Sequence, residues 1–349
     1  MLPHNILDEG KDQRERMLGD RIVIGPGRRR YGDAVLRGRR HVDSVVPHAH
    51  SRNHFQAWVG VLARQVGEAI RTAAGARRPC TLQAVTVMAD GLGVYRRILT
   101  TEGIVLSHPP PPPEAVISRE GPVDPAVSVA AFRESAGHPP VALLVNATCH
   151  PVHEMCLPQI SPDYPGEMSE LLERRHPGAT ALFLNGAAGN INPPVVSGGP
   201  AYAARHGRAL ADKVDESLSC LHPVGGATLA LRRRDVRLPL RTRRGKPSSR
   251  TLKTRITALR LGEALFVFLP GEPFVETGLA IKERSPFDFT AVVGYAESSI
   301  GYVPTERAFD EGGYEIGPGR WSYLGRGCEE ILRREAISLA DESARIPLP

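Results

Sequence analysis

The stretch Val145–Pro194 reads VNATCHPVHEMCLPQISPDYPGEMSELLERRHPGATALFLNGAAGNINPP. The apolar run Val141–Val145 leads straight into Cys149 and His150. A segment with helical spacing follows, and a second apolar run, Ala181–Leu184, leads into the small-residue turn Gly186-Ala187-Ala188-Gly189-Asn190. Strand, polar loop, helix, strand, polar loop is how open α/β sheets build clefts, with functional side chains beyond the carboxyl ends of strands. A histidine just past a strand end is well placed to bind a metal, although a lone histidine is more often structural.

Working outward, the spacing predicts an amphipathic helix over Phe55–Ala73, with Phe55, Trp58, Val59, Leu62, Val66, Ala69 and Ile70 on one face. Val42–Val46 and Leu82–Met88 read as strands, the second broken by Gly91-Leu92-Gly93 and followed by Arg96 and Arg97. Pro109–Pro113 is extended and marks a surface loop, and Ala126–Glu134 is ambiguous. On the other side, Ala201–Leu221 has helical spacing. Leu229–Leu240 and Thr254–Leu269 alternate as strands, with Arg241–Arg250 as the polar loop between them. Phe274–Glu283 reads as helix, Phe289–Val293 as strand and Cys328–Ala340 as the closing helix. There is no internal repeat. The fold class expected is α/β, with mixed parallel and antiparallel sheets flanked by helices and a metal site at strand ends. Residues 1–40 are set apart as a basic, poorly defined N-terminal segment, and 41–349 as one domain.

At 349 residues, with 41% hydrophobic and 23% charged residues, the chain is long enough for a sizeable core and ordinary for a soluble protein. No apolar run approaches the roughly 18 residues of a membrane span, and the first residues contain no secretory h-region. Five scattered cysteines without a C-x-x-C pair argue against a disulfide framework and make a reducing, cytoplasmic compartment the default. The net charge of +6 comes with arginine clusters at Arg28–Arg30, Arg37–Arg40, Arg232–Arg234 and Arg241–Arg244. Aromatic residues are only 5% of the chain and do not interleave with them, so a solvated face is expected rather than a nucleic-acid surface.

G-x-S-x-G, G-x-x-x-x-G-K-[ST] and H-E-x-x-H are all absent. What remains is a set of possible metal ligands on separate strand-end loops: His48 and His50, His150 and His153, and Glu272. Two imidazoles and a carboxylate form a common zinc hydrolase shell, with room for a water whose pKa the metal lowers toward neutrality. Spacing alone does not choose the set, because His50 or His153 can replace another histidine in it.

Several blocks, taken in order, resemble the neutral/alkaline, non-lysosomal ceramidases. Val45-Val46-Pro47-His48-Ala49-His50-Ser51 is similar to their His-x-His-Ser motif. Asn146-Ala147-Thr148-Cys149-His150-Pro151, with Ile160–Gly166 after it, resembles their second-histidine block. Asn185–Pro193 resembles their small-residue turn, Leu269–Phe274 their glutamate block and Gly301–Glu306 their tyrosine block, with Tyr314 standing where a second tyrosine occurs. The resemblance implies a ceramidase-like catalytic domain over 41–349 and one Zn²⁺ held by His48, His150, Glu272 and Tyr302. It implies His50 as the active-site histidine, Tyr314 as a hydrogen-bond donor to the substrate amide or developing oxyanion, and Arg96 as the substrate-contacting arginine, with Arg97 nearly as good a match. The implied reaction is metal-assisted hydrolysis of an N-acyl amide bond, in ceramide or a related lipid-like compound, within sphingolipid metabolism.

The chain also departs from that pattern. Ser51 is followed by Arg52-Asn53 rather than Gly-Pro, and Asn190 and Asn192 replace the Asp and Ser of the turn. Asn192 can donate a hydrogen bond but cannot be a hydroxyl nucleophile, so zinc-bound water is the expected nucleophile and sphingolipid specificity is open. Only 47 residues precede His48, fewer than the family carries, so either an edge strand is missing or the start is misplaced; no β-sandwich domain follows. Two further readings stay open: a zinc hydrolase of a non-sphingolipid amide or ester, and a non-catalytic binding protein on the same scaffold.

Overall fold

Val127, Val129 and Ala131 pack on one side of their strand and Ala130 on the other, and all four are buried. Such two-sided burial requires covering layers above and below the sheet, and the rest of the chain supplies them. The computed structural model describes residues 52–347, apart from 102, 105–112, 120, 136, 156, 158–159 and 320. The N-terminal segment, the run Val42–Val46 expected as a strand, His48 and His50 lie outside the described residues, as do Pro109–Pro112.

In chain order the elements begin with α1 (Arg52–Gly75), β1 (Thr81–Met88), β2 (Val94–Tyr95), β3 (Ile98–Thr100), β4 (Gly103–Ile104) and β5 (Val116–Arg119). They continue with β6 (Ala126–Arg133), β7 (Pro140–Ala147), α2 (Asp163–Arg175), β8 (Thr180–Asn185), β9 (Ile191–Asn192), α3 (Pro200–Ser217) and β10 (His222–Pro223). The last third holds β11 (Leu229–Arg241), β12 (Pro247–Leu261), β13 (Ala264–Pro270), β14 (Glu272–Pro273) and α4 (Val275–Arg284). It ends with β15 (Phe289–Ala296), β16 (Tyr302–Val303), α5 (Glu306–Glu311) and α6 (Cys328–Ala344).

Two sheets stack face to face between two helical layers. The first has the order β10-β1-β6-β7-β8, antiparallel except for the parallel β7–β8 pair. The second has the order β11-β12-β13-β15, in which β13 and β15 are parallel. Period-two alternation assigns each residue to its layer. From β7, Leu143 and Val145 face α2 and α3, where Met168, Leu172, Leu210 and Val214 meet them. From β13, Leu265, Val267 and Leu269 face α6, against Leu332, Ala336 and Leu339. Phe266, Phe289, Ala84, Ala130 and Ala291 fill the space between the sheets. The small alanines let the sheets approach, and Asn146 Nδ2 bridges them, donating to Leu184 O at 2.9 Å and Val292 O at 3.0 Å.

Mixed sheets flanked by helices are therefore present, as the alternating elements predict. Ala126–Glu134, ambiguous by composition, is the central strand β6, paired to β1 on one side and β7 on the other. One reading needs correction: Arg241–Arg250 is not all loop. The turn is confined to 242–246, and the polar residues from Pro247 onward pair with β11 as strand. A half-exposed ribbon carries polar side chains on its wet face, so polarity alone does not separate it from a loop. The predicted first helix forms, but its apolar face stays open, from Val59 at 37% exposed to Ile70 at 63%.

Candidate active site

Two parallel strand pairs, β7–β8 and β13–β15, belong to different sheets, and the turns beyond them touch. Gly189 N donates to Pro273 O at 2.9 Å, joining the turn after β8 to β14. A Cβ on Gly189 would stand 2.4 Å from the Glu272 carbonyl oxygen, so glycine alone permits this approach. Gly271 makes the turn into Glu272 with φ +66°, in the region other residues avoid.

These turns bring His150 and Glu272 together. His150 Nδ1 lies 2.9 Å from Ile191 O; a carbonyl only accepts, so this nitrogen carries the proton and Nε2 points onward. Nε2 is 3.1 Å from Glu272 Oε2, and the Tyr295 hydroxyl is 2.9 Å from the same nitrogen. A neutral imidazole in this tautomer presents a lone pair to a carboxylate, a contact that becomes favourable only when a positive charge, proton or metal ion, lies between them. Nitrogen and oxygen ligands about 2.0–2.2 Å from one ion in tetrahedral geometry stand roughly 3.3–3.5 Å apart, close to this separation. The backbone carbonyl on Nδ1 is the outer-sphere partner typical of metal-bound histidine. The pair therefore fits a divalent cation. Among the described residues there is no group of three His, Cys, Asp or Glu side chains suited to a metal; His48, the other histidine implied by the resemblance, lies outside them.

Beside the pair sits a buried cation cluster. β2 and β9 pair Val94 with Asn192 and Tyr95 with Ile191, which delivers Arg96 to the site. Arg96 Nη1 donates to Asn192 Oδ1 at 3.1 Å and Nε to Glu315 Oε1 at 2.7 Å. Its guanidinium lies 5.4 Å from the Tyr302 ring centroid and 5.8 Å from that of Tyr314, and the two rings meet edge to face. β14 and β16 place Tyr302 directly across from Glu272. Burial works against charge on Arg96, but the Glu315 carboxylate and the Tyr302 hydroxyl outweigh it and raise its pKa. Burial also raises Tyr302, against the pull of Arg96. Arg97 turns away, donating to Glu315 Oε2 at 2.9 Å, Glu311 Oε2 at 3.1 Å and Gly312 O at 2.9 Å. Arg96, not Arg97, is the arginine of the cluster.

His153, a possible metal ligand by sequence, has a structural partner. His153 is buried and shares a 3.0 Å hydrogen bond with His206 on α3, whose pKa burial, helped by His153, pushes down to about 3. Asp163, the first residue of α2, ties the preceding loop to the helix: its Oδ2 accepts from Glu154 N at 2.7 Å and its Oδ1 from Tyr164 N at 2.7 Å. Tyr164, fully buried, donates to Cys149 O at 2.7 Å and so steadies the chain one residue before His150. Tyr164→Phe leaves that carbonyl unsatisfied, with an expected loss of about 1–3 kcal/mol in denaturant unfolding.

His150, Glu272, Tyr302, Tyr314, Arg96 and Asn192 thus form one contiguous group, while His48 and His50 fall outside the described residues. Sequence reasoning did not single out Tyr295 or Glu315. Tyr295 had a usable signal, since it follows the apolar run of β15. Glu315 had none beyond its neighbour Tyr314, because its partners Arg96 and Arg97 lie more than 200 positions away.

Two stacked sheets between helical layers are a neutral ceramidase-like fold. The chain is similar to the neutral ceramidase from Pseudomonas aeruginosa, with a TM-score of 0.60 and 18% identity over 86% of this chain and 57% of that one. It is also similar to a ceramidase complexed with C2, with a TM-score of 0.64, 18% identity, and coverage of 86% and 58%. The chain spans less than two thirds of either protein. No known family profile and no curated protein matches it by sequence. Among the described residues no helix is long and apolar enough to cross a membrane.

Proposed function

We propose that this chain is a zinc-dependent hydrolase that cleaves the N-acyl amide bond of a lipid-like substrate, ceramide or a related compound. The observation carrying this reading is the His150–Glu272 contact at 3.1 Å, on a scaffold shared with neutral ceramidase. His150 and Glu272 would hold the ion, with His48 and Tyr302 as the ligands that the resemblance adds. A bound zinc ion supplies a Lewis acid and a water of lowered pKa.

The chain's own residues do the rest. Ile191 O fixes the His150 tautomer, leaving the Nε2 lone pair free to bind an ion. Arg96 is buried, charged and anchored by Glu315, so it is a preorganised cation for an oxygen that gains negative charge as the amide carbonyl becomes tetrahedral. Tyr314, stacked edge-on against Tyr302, is a second donor for that oxygen or for the amide. The resemblance adds His50, which lies outside the described residues, as the histidine that would contact the scissile group or the attacking water. Asn192 holds Arg96 through Oδ1 and supplies no nucleophile.

Asn192 also favours a second reading. Its replacement of the family serine points to a non-sphingolipid amide or ester handled by the same machinery. The resemblance likewise permits a non-catalytic binding protein, in which these residues would only bind.

The decisive experiment is elemental analysis of the purified full chain, followed by fatty-acid release from a panel of N-acyl lipids and esters. About one zinc per chain and turnover of at least one N-acyl compound are expected. Folded protein that takes up no zinc after reconstitution overturns the hydrolase reading.

A further inference from the structure

Tyr295, the penultimate residue of β15, has φ +58°, a left-handed conformation that is a genuine outlier for a bulky side chain and costs on the order of 1–3 kcal/mol. Burial of its ring does little to offset this, since the residue is 43% exposed. What the conformation achieves is polar. Tyr295 N donates to Gly271 O at 2.8 Å, tying the residue to the turn that carries Glu272. Its hydroxyl reaches 2.9 Å from His150 Nε2 and 3.4 Å from Glu272 Oε2, and its ring meets the imidazole edge to face. One side chain thus contacts both donors of the candidate metal pair, which come from different sheets.

We propose that Tyr295 is a positioning residue for this pair, fixing the angle of the Glu272 carboxylate against His150 so that both donors face one ion. The inference rests on the zinc hydrolase reading. Once an ion occupies the Nε2 lone pair, the hydroxyl is left to donate to Glu272, the outer-sphere bond that tunes metal ligands and whose loss typically weakens binding 10- to 100-fold. Glu297, two residues on, is also left-handed at φ +57°, so the whole turn is strained, and the hydroxyl contact is what Tyr295 contributes within it.

The test is zinc affinity of the full chain, measured by chelator competition for wild type, Tyr295→Phe, Tyr295→Gly and His150→Ala, with the absorption spectrum of the Co²⁺-loaded forms as a second readout. Tyr295→Phe is expected to raise the zinc Kd roughly 10- to 100-fold and shift the Co²⁺ bands while the metal-free protein melts as wild type does. Tyr295→Gly relieves the backbone strain, so it should melt no lower and still bind zinc weakly, which separates positioning from folding. Affinity within about twofold of wild type in both Tyr295 variants, with binding lost in His150→Ala, overturns the role of Tyr295 and leaves the hydrolase reading standing. Absence of zinc binding in wild type overturns both.

Discussion

Glu315→Ala is expected to destabilise the protein by about 3–5 kcal/mol, because it strips a carboxylate shared by two buried guanidinium groups. Glu315 is 0% exposed and accepts from Arg96 Nε at 2.7 Å and Arg97 Nη1 at 2.9 Å. Arg97 keeps Glu311, whereas Arg96 keeps, among the described residues, the neutral Asn192, Tyr302 and Tyr314 beside it. Denaturant unfolding of wild type, Glu315→Ala and Glu315→Gln measures the effect, and the glutamine separates loss of charge from loss of volume. A loss under about 1 kcal/mol would mean that water reaches Arg96, contrary to its burial. The same carboxylate gives stability a pH dependence. Burial alone would raise the Glu315 pKa, but Arg96 and Arg97 overcome it and hold the group below the usual glutamate value. Its contribution is therefore fully present above about pH 4.3, and it is lost as the pH falls through the lower folded value.

His150→Ala is expected to abolish stoichiometric zinc binding and to lower N-acyl hydrolysis by more than about 100-fold, exceeding the loss typical of an outer-sphere change. The imidazole contributes the Nε2 donor, and the change leaves Ile191 O without its Nδ1 partner while the backbone bond from His150 N, 3.1 Å, remains. Elemental analysis and fatty-acid release, with circular dichroism to establish folding, check this. A folded variant that retains zinc would place the ion elsewhere.

Much of the architecture was legible because its periods are simple. The runs Val141–Val145 and Ala181–Leu184 are strands β7 and β8, and His150 and Gly186–Asn190 follow them as turns. The Glu272 turn was legible for the same reason, since Phe266–Leu269 is buried on both faces and Gly271 breaks the run. Polar strands were harder. Residues 247–251 offer no apolar face, and they are held as strand by their ladder to β11, while Leu252, Ile256 and Ala258 further along β12 reach the core.

The sequence by itself determined which residue types stand at strand ends and, through resemblance, grouped His150, Glu272, Tyr302, Tyr314, Arg96 and Asn192, which the fold brings side by side. Local order is enough for that, because a strand end and a glycine turn are short-range features. Only the tertiary structure decided that Arg96 rather than Arg97 enters the cluster, that Glu315 holds both, and that His153 pairs with His206. Those choices depend on which buried charge finds a partner across two sheets, and such partners lie up to 219 positions apart along the chain. Tyr295 joins His150 to Glu272 for the same reason: the contact exists only once the sheets stack and bring their strand ends to one edge.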